Sequence, residues 1–255
     1  MRGRSWLGII AVAIAALGVP VAGADDPSHA VFLLQVVSRD GGGYRSAVYG
    51  TAFFIASDGT ALTNSHVVYL AQHEPDRYQL LAVVNREFYS ASIICASRLA
   101  HDPSDPGLNI RPSRDVAKIH LTPAAFPFGQ WRLVLPSGER LLLVTAHHNA
   151  LPRFPFLTVA GQPSSGERIR VIGFGHLFSG PEQWSAIGQI LGVDRTSDGT
   201  EIFGIDFTGP VQPGNSGSPV LNPLDQVIGM WTWYSRSDTN IGMAISSSAL
   251  RLPCL

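Results

Sequence analysis

The chain has 255 residues, with 18 Lys and Arg against 19 Asp and Glu, a formal net charge of -1, and 45% hydrophobic residues. A charge balance this close to zero, with no basic run, argues against a nucleic acid or an anionic membrane surface as partner. The 26 glycines, 18 prolines and 15% charged residues, without an internal repeat, fit a globular, β-rich chain.

In chain order, Arg2 and Arg4 precede an apolar run over residues 6–17, and Ala22-Gly23-Ala24 precedes Asp25. A basic start, a short apolar core and an A-x-A end read as a secretory signal peptide over residues 1–24, cut after Ala24. The alternative is an uncleaved anchor, but Gly18 and Pro20 interrupt the run and leave it short for a bilayer span. The residue directly after the cut is Asp25 and not a cysteine, so a bacterial lipid anchor is not indicated. Residues 25–255 suffice for a sizeable core but not for a catalytic unit plus a second full domain.

Strand signals follow at residues 30–37, then a turn at 40–43, then residues 51–56 and 60–63 joined by Asp58-Gly59. Residues 80–84 and 89–94 are further strands by β-branched content. Residues 98–114 are a loop by their Asp-Pro and Arg-Pro pairs. Residues 123–136 read as a connection, with 131–135 as an alternative strand. Strands are then expected at 141–145, 168–173, 189–193, 202–207, 220–221 and 227–231, separated by Ser165-Gly166, Asp198-Gly199 and Asn222-Pro223. Only residues 246–250 read as helical. The fold class is all-β.

The chemistry centres on Gly214-Asn215-Ser216-Gly217-Ser218-Pro219, a tight turn that holds a hydroxyl at a fixed place before an apolar strand. The amides of Gly214 and Ser216 could converge on one point and stabilise an oxyanion as Ser216 attacks a carbonyl. Read by itself, the turn is equally a Gly/Ser-rich surface loop. A serine hydroxyl needs a base, and that base an orienting acid. Upstream, Thr63-Asn64-Ser65-His66-Val67 ends a strand, and Arg114-Asp115-Val116-Ala117 opens one.

These segments resemble those of the chymotrypsin-like serine proteases, and within them the bacterial HtrA-type and glutamyl (V8-type) branch, catalytic domain only. The order His66, Asp115, Ser216 matches that fold and argues against the α/β-hydrolase and subtilisin orders. The resemblance implies two antiparallel six-stranded β-barrels, the chymotrypsin-like double barrel, spanning about 30–125 and about 138–250 within a domain of residues 25–255. It implies a serine endopeptidase working through an acyl-enzyme, with His66 as base, Asp115 as orienting acid, Ser216 as nucleophile and Gly214 and Ser216 as the oxyanion hole. Substrate is expected to add along Met230, Trp231, Thr232 and Trp233, with Pro210 and Val211 on the wall of the specificity pocket. Pro210 stands where trypsin-like members carry an aspartate, which disfavours an Arg or Lys preference. No histidine lies between residues 227 and 234, which weighs against Glu preference. Asn215 replaces the aspartate that pairs with a new N-terminal amine in trypsin-type zymogens, so excision of such a terminus is not expected to activate. Val67 follows His66 where many animal members have a cysteine, which points to the bacterial branch. The expected partners are protein or peptide substrates, with no cofactor, no metal, no nucleic acid and no stable membrane association after signal cleavage. The expected location is secreted or periplasmic. Two readings from other classes are a catalytically silent peptide-binding relative and an esterase on the same fold.

The remaining features have plainer readings. Cys95 and Cys254 form either one disulfide or two separate thiols. Adjacent His147 and His148 would point to opposite faces of a strand. His73-Glu74-Pro75 is a loop rather than a metal motif. His120 and His176 are packing or surface residues. Asp206 is a rival to Asp115, disfavoured because it lies in the same strand-loop unit as Ser216.

Overall fold

The computed structural model describes residues 26–40, 43–99, 114–123, 130–134, 138, 140–144, 150–175, 182–208, 214–234 and 240–251. After a 3-10 turn at Pro27–Ala30 capped by Asp26, the chain forms β1 (Val31–Asp40), β2 (Gly43–Phe54) and β3 (Thr60–Thr63). Helix α1 (Ser65–His73) and the strands β4 (Tyr78–Val84), β5 (Glu87–Ala96) and β6 (Ala117–Thr122) follow. The order β1-β4-β5-β6-β3-β2, with β1 also paired to β2, closes these six strands into an antiparallel barrel. β7 (Gln130–Val134) and β8 (Arg140–Val144) form a hairpin that adds in parallel to β2.

The second barrel is β9 (Arg168–Gly173), β10 (Trp184–Arg195), β11 (Glu201–Phe207), β12 (Pro219–Leu221), β13 (Val227–Tyr234) and β14 (Ile241–Ser246). It closes in the order β10-β11-β14-β13-β12-β9. A final turn of helix, α2 (Ser247–Leu250), starts from Ser246, whose hydroxyl accepts from the Ser248 N–H. The expected double barrel is therefore present.

One barrel-two assignment is corrected. Residues 141–145 were expected in barrel two; residues 140–144 are a strand, but one paired with β7 on the first sheet. The sixth strand of barrel two is instead β14, within Ile-Gly-Met-Ala-Ile-Ser, where glycine and alanine weaken the β signal. Packing dictates that glycine: a Cβ on Gly242 would lie 1.5 Å from the Trp231 ring. The barrel-two strands thus begin at Arg168, not near residue 138. Of residues 131–135, read mainly as connection, 131–134 lie in β7.

Side-chain alternation gives each strand two jobs. On β2, Ala52 and Phe54 point into the first barrel's core with Phe32, Leu34, Val36 and Ile119, while Phe53 points outward. On β12 and β13, Val220, Ile228 and Trp231 fill the second barrel, while Leu221, Val227 and Met230 point outward. Phe53 then meets Leu62, Val116, Leu221 and Met230 in a shared apolar cluster between the barrels. That cluster fixes β3, the start of β6 and β13 beside one another, which is where the candidate site lies.

Candidate active site

His66 is the second residue of α1 and stands just past β3. Asp115 stands two residues before β6, the strand paired with β3, so the register Thr63↔Ala117 brings the two side chains to the same end of the first barrel. His66 Nδ1 donates to Asp115 Oδ2 at 2.5 Å, and the His66 backbone N–H donates to Asp115 Oδ1 at 2.9 Å. The first N–H groups of a helix lack intrahelical partners and attract negative charge. Asp115 supplies both needs at once, capping α1 and aligning the ring of its second residue. It is 3% exposed, whereas the His66 side chain is 25% exposed and open to a ligand. Because a carboxylate oxygen only accepts, Nδ1 carries the proton and Nε2 is left with its lone pair.

Ser216 sits on the turn between residue 214 and β12, partly exposed between buried neighbours. Thr51 on β2 clamps this turn. Its N–H donates to the Ser216 carbonyl at 2.8 Å, its hydroxyl donates to the Gly214 carbonyl at 3.0 Å, and that oxygen accepts from the Phe174 N–H at 2.9 Å. The Thr51 carbonyl in turn accepts from the Thr63 hydroxyl at 2.7 Å. On the other side Gly217 N–H donates to the Trp231 carbonyl at 2.9 Å, and Trp231 N–H donates to the Ser218 carbonyl at 2.8 Å. Gly214 and Gly217 have φ of 100° and 89°, conformations that disfavour any residue with a Cβ. The base and the turn converge on Gly50: a Cβ there would lie 2.8 Å from Val67, the residue after His66, and 3.0 Å from the Ser216 carbonyl. The structure thus brings His66 and Asp115 into direct contact and seats the Ser216 turn beside the helix that carries His66.

Other expected residues fall differently. Met230 and Trp231 are 0% and 2% exposed and pack in the core, so their side chains line no substrate groove. Thr232 is also buried, while Trp233 is half-buried and Tyr234 exposed. β12 pairs with β13 only as far as Met230, so the β12-side edge beyond it carries no β12 partner. Pro210 and Val211 lie outside the described residues, as do His147, His148, His176 and Cys254. Asp206 is exposed on β11, opposite Gln189 and Ile241, and Asp115 is the carboxylate that meets His66. His120 is half-buried on β6, with Thr60 Oγ1 3.4 Å from its Nδ1. Among the described residues no cluster of His, Cys, Asp and Glu could hold a metal, no helix is long and apolar enough to cross a membrane, and no cysteine is free.

Three supports carry no local sequence signal. Thr51 reaches the turn across 163 positions, Asn64 reaches Thr232 across 168, and Asp198 reaches Arg114 across 84. Asp198, in the β10–β11 turn, accepts from the Arg114 N–H at 3.0 Å, directly before Asp115, and from the Thr200 N–H at 3.0 Å and the Thr196 hydroxyl. Its partial burial pushes the carboxyl up, but these hydrogen bonds together outweigh it and hold the group at about 2. A folded value below the unfolded carboxylate value of about 3.9 means the contact stabilises the fold above roughly pH 4 and is lost as pH falls towards 2. Thermal unfolding of the wild type against Asp198→Asn should therefore differ at pH 6 and converge by about pH 2. A difference that is flat with pH would refute this assignment.

Two antiparallel barrels, a histidine and carboxylate in contact on the first, and a glycine-framed serine turn on the second define the architecture of a chymotrypsin-type hydrolase. Residues 50–230 match the model of the trypsin-like peptidase domain, and the chain belongs to that family. No curated protein sequence matches it. Among solved structures, the active form of the Rv3671c protease from Mycobacterium tuberculosis superposes with a TM-score of 0.56 at 19% identity, covering 98% of this chain and 90% of that one. A serine endoprotease from Yersinia pestis gives 0.56 at 17% identity, covering 88% and 61%. At these identities the likeness extends to the fold. Family membership supports a serine-type peptidase.

Proposed function

We propose that the protein is a serine endopeptidase that cleaves peptide bonds through an acyl-enzyme. The observation that supports this reading is the His66–Asp115 contact at 2.5 Å, in which Nδ1 donates, so that in this reading Nε2 serves as the base. Ser216 Oγ attacks the scissile carbonyl carbon and its proton passes to His66 Nε2. The tetrahedral oxyanion is held by the Gly214 and Ser216 N–H groups, and the C–N bond then breaks as His66 returns the proton to the leaving amine. Water repeats the sequence on the ester and frees Ser216. Substrate backbone adds to β13 at residues 232–234, the stretch beyond its pairing with β12. No metal or cofactor takes part.

We place the enzyme outside the cytoplasm, secreted or periplasmic, after removal of residues 1–24. In such a compartment Cys95, which is not a free thiol, pairs with Cys254, the chain's one other cysteine. A thiol-alkylating reagent should leave the denatured protein unmodified until it is reduced; alkylation without reduction would sink the pairing.

The functional test is turnover of matched peptide and ester substrates by the wild type and Ser216→Ala. Cleavage of both, lost together in the variant, is expected. Esters cleaved with peptides intact would make it an esterase, and neither cleaved would favour a silent peptide-binding relative.

A further inference from the structure

Asn64 occupies the N-cap of α1, where an asparagine side chain ordinarily accepts from the first turn of its own helix. Here it makes no such bond. Its Nδ2 donates instead to the Asp115 carbonyl at 2.7 Å and to Thr232 Oγ1 at 3.0 Å. The capping is done by Asp115 Oδ1, through the His66 N–H. The orientation of the amide is unambiguous: a main-chain carbonyl only accepts, so the atom facing it is the nitrogen. Thr232 uses its own hydroxyl proton on the Met230 carbonyl at 3.0 Å and so accepts from Asn64. Asn64 is 0% exposed and Thr232 4%, so both bonds lie out of water. One amide therefore joins Asp115 on the first barrel to β13 on the second, the strand whose Trp231 backbone is bonded to the Ser216 turn.

We infer that Asn64 is a positioning residue that, anchored on Thr232, holds the Asp115 main chain in place so that its carboxylate stays seated on His66 and the pair stays in register with the nucleophile-bearing barrel. The catalytic consequence rests on the serine-peptidase reading; the structural coupling does not. Asp115 has two handles, its carboxylate on His66 and its carbonyl on Asn64. With the carbonyl released, the peptide unit can turn and the 2.5 Å contact lengthens. A buried network of this kind responds strongly to loss of one member. Asn64 Oδ1 is buried without a partner, a cost that the two bonds of its nitrogen must offset.

The test is proton NMR of the His66 Nδ1–H, the proton donated to Asp115 Oδ2, in the wild type, Asn64→Ala, Thr232→Val and Thr232→Ser, with thermal unfolding beside it. A short, charge-assisted hydrogen bond holds its proton far downfield, so loosening the Asp115 contact should move this resonance upfield in Asn64→Ala and, to a smaller extent, in Thr232→Val. Thr232→Ser keeps the hydroxyl and should give the wild-type resonance. Turnover should follow the same order, with kcat falling about tenfold to a hundredfold in Asn64→Ala and KM changing little. A wild-type Nδ1–H resonance in Asn64→Ala, with only the unfolding temperature lowered, would overturn the inference. If Asn64→Ala does not fold, the Val and Ser variants at Thr232 decide, since equal resonances in the two would also overturn it. A wild type without hydrolytic activity would defeat the serine-peptidase reading, while the resonance would still decide the coupling.

Discussion

Asp115→Asn should fold like the wild type and lose about 10⁴ in kcat, the size of effect seen when the orienting acid of a serine-protease triad becomes an amide. The reason is local to this site. The His66 N–H at the start of α1 donates to Oδ1 at 2.9 Å and needs an acceptor there, so the new amide must keep its oxygen on that side. Its nitrogen then faces His66 Nδ1, where Oδ2 stood at 2.5 Å. An amide nitrogen only donates, so His66 must shift its proton to Nε2 to accept at Nδ1. The ring is then in the wrong tautomer to take a proton from Ser216. The helix cap survives, which is why stability should change far less than rate. Steady-state kinetics with thermal unfolding checks this, and a kcat within tenfold of wild type would contradict the role given to Asp115.

Gly217→Ala should destabilise the protein by about 3 kcal/mol or more, or abolish folding. At φ 89° a side chain alone costs about 1–2 kcal/mol. The added Cβ would also lie 2.0 Å from the Thr51 carbonyl oxygen and 2.6 Å from Thr63 Oγ1. Those are the atoms of the bond that ties β2 to β3, so relief requires moving the clamp that holds the turn. Gly199→Ala is the control: its φ is 81° and nothing lies within 4 Å of its missing Cβ. It should show only the backbone term, about 1–2 kcal/mol. Equal losses in the two variants, measured by denaturant unfolding, would mean that the contact with Thr51 is unimportant.

What the sequence made legible was what local chemistry specifies. Asp58-Gly59 between two apolar stretches announces the β2–β3 hairpin, and the glycines around Ser216 announce backbone conformations that only they adopt readily. The order of His66, Asp115 and Ser216 then selects one fold among several that use the same three side chains. The harder cases were settled by packing. Gly242 lies in a strand because the Trp231 ring occupies the space a side chain would need, and no propensity scale carries that information. Residues 141–145 read as a strand and β14 did not, but which sheet a strand joins is decided by pairing partners that its own sequence does not name. Met230 and Trp231 stand where a substrate groove was expected, yet Met230 turns into the cluster between the barrels and Trp231 into the second barrel's core. Asn64 has the residue type of a helix cap and does another task, because Asp115 already supplies the cap.

The most direct test of the account is labelling of the protein with a serine-reactive fluorophosphonate, followed by peptide mapping, with Ser216→Ala and His66→Ala in parallel. The predicted result is a single adduct on Ser216 that forms rapidly in the wild type and is lost in both variants. A wild type that does not label, or that labels at another serine, would contradict an activated nucleophile on the Gly214–Gly217 turn.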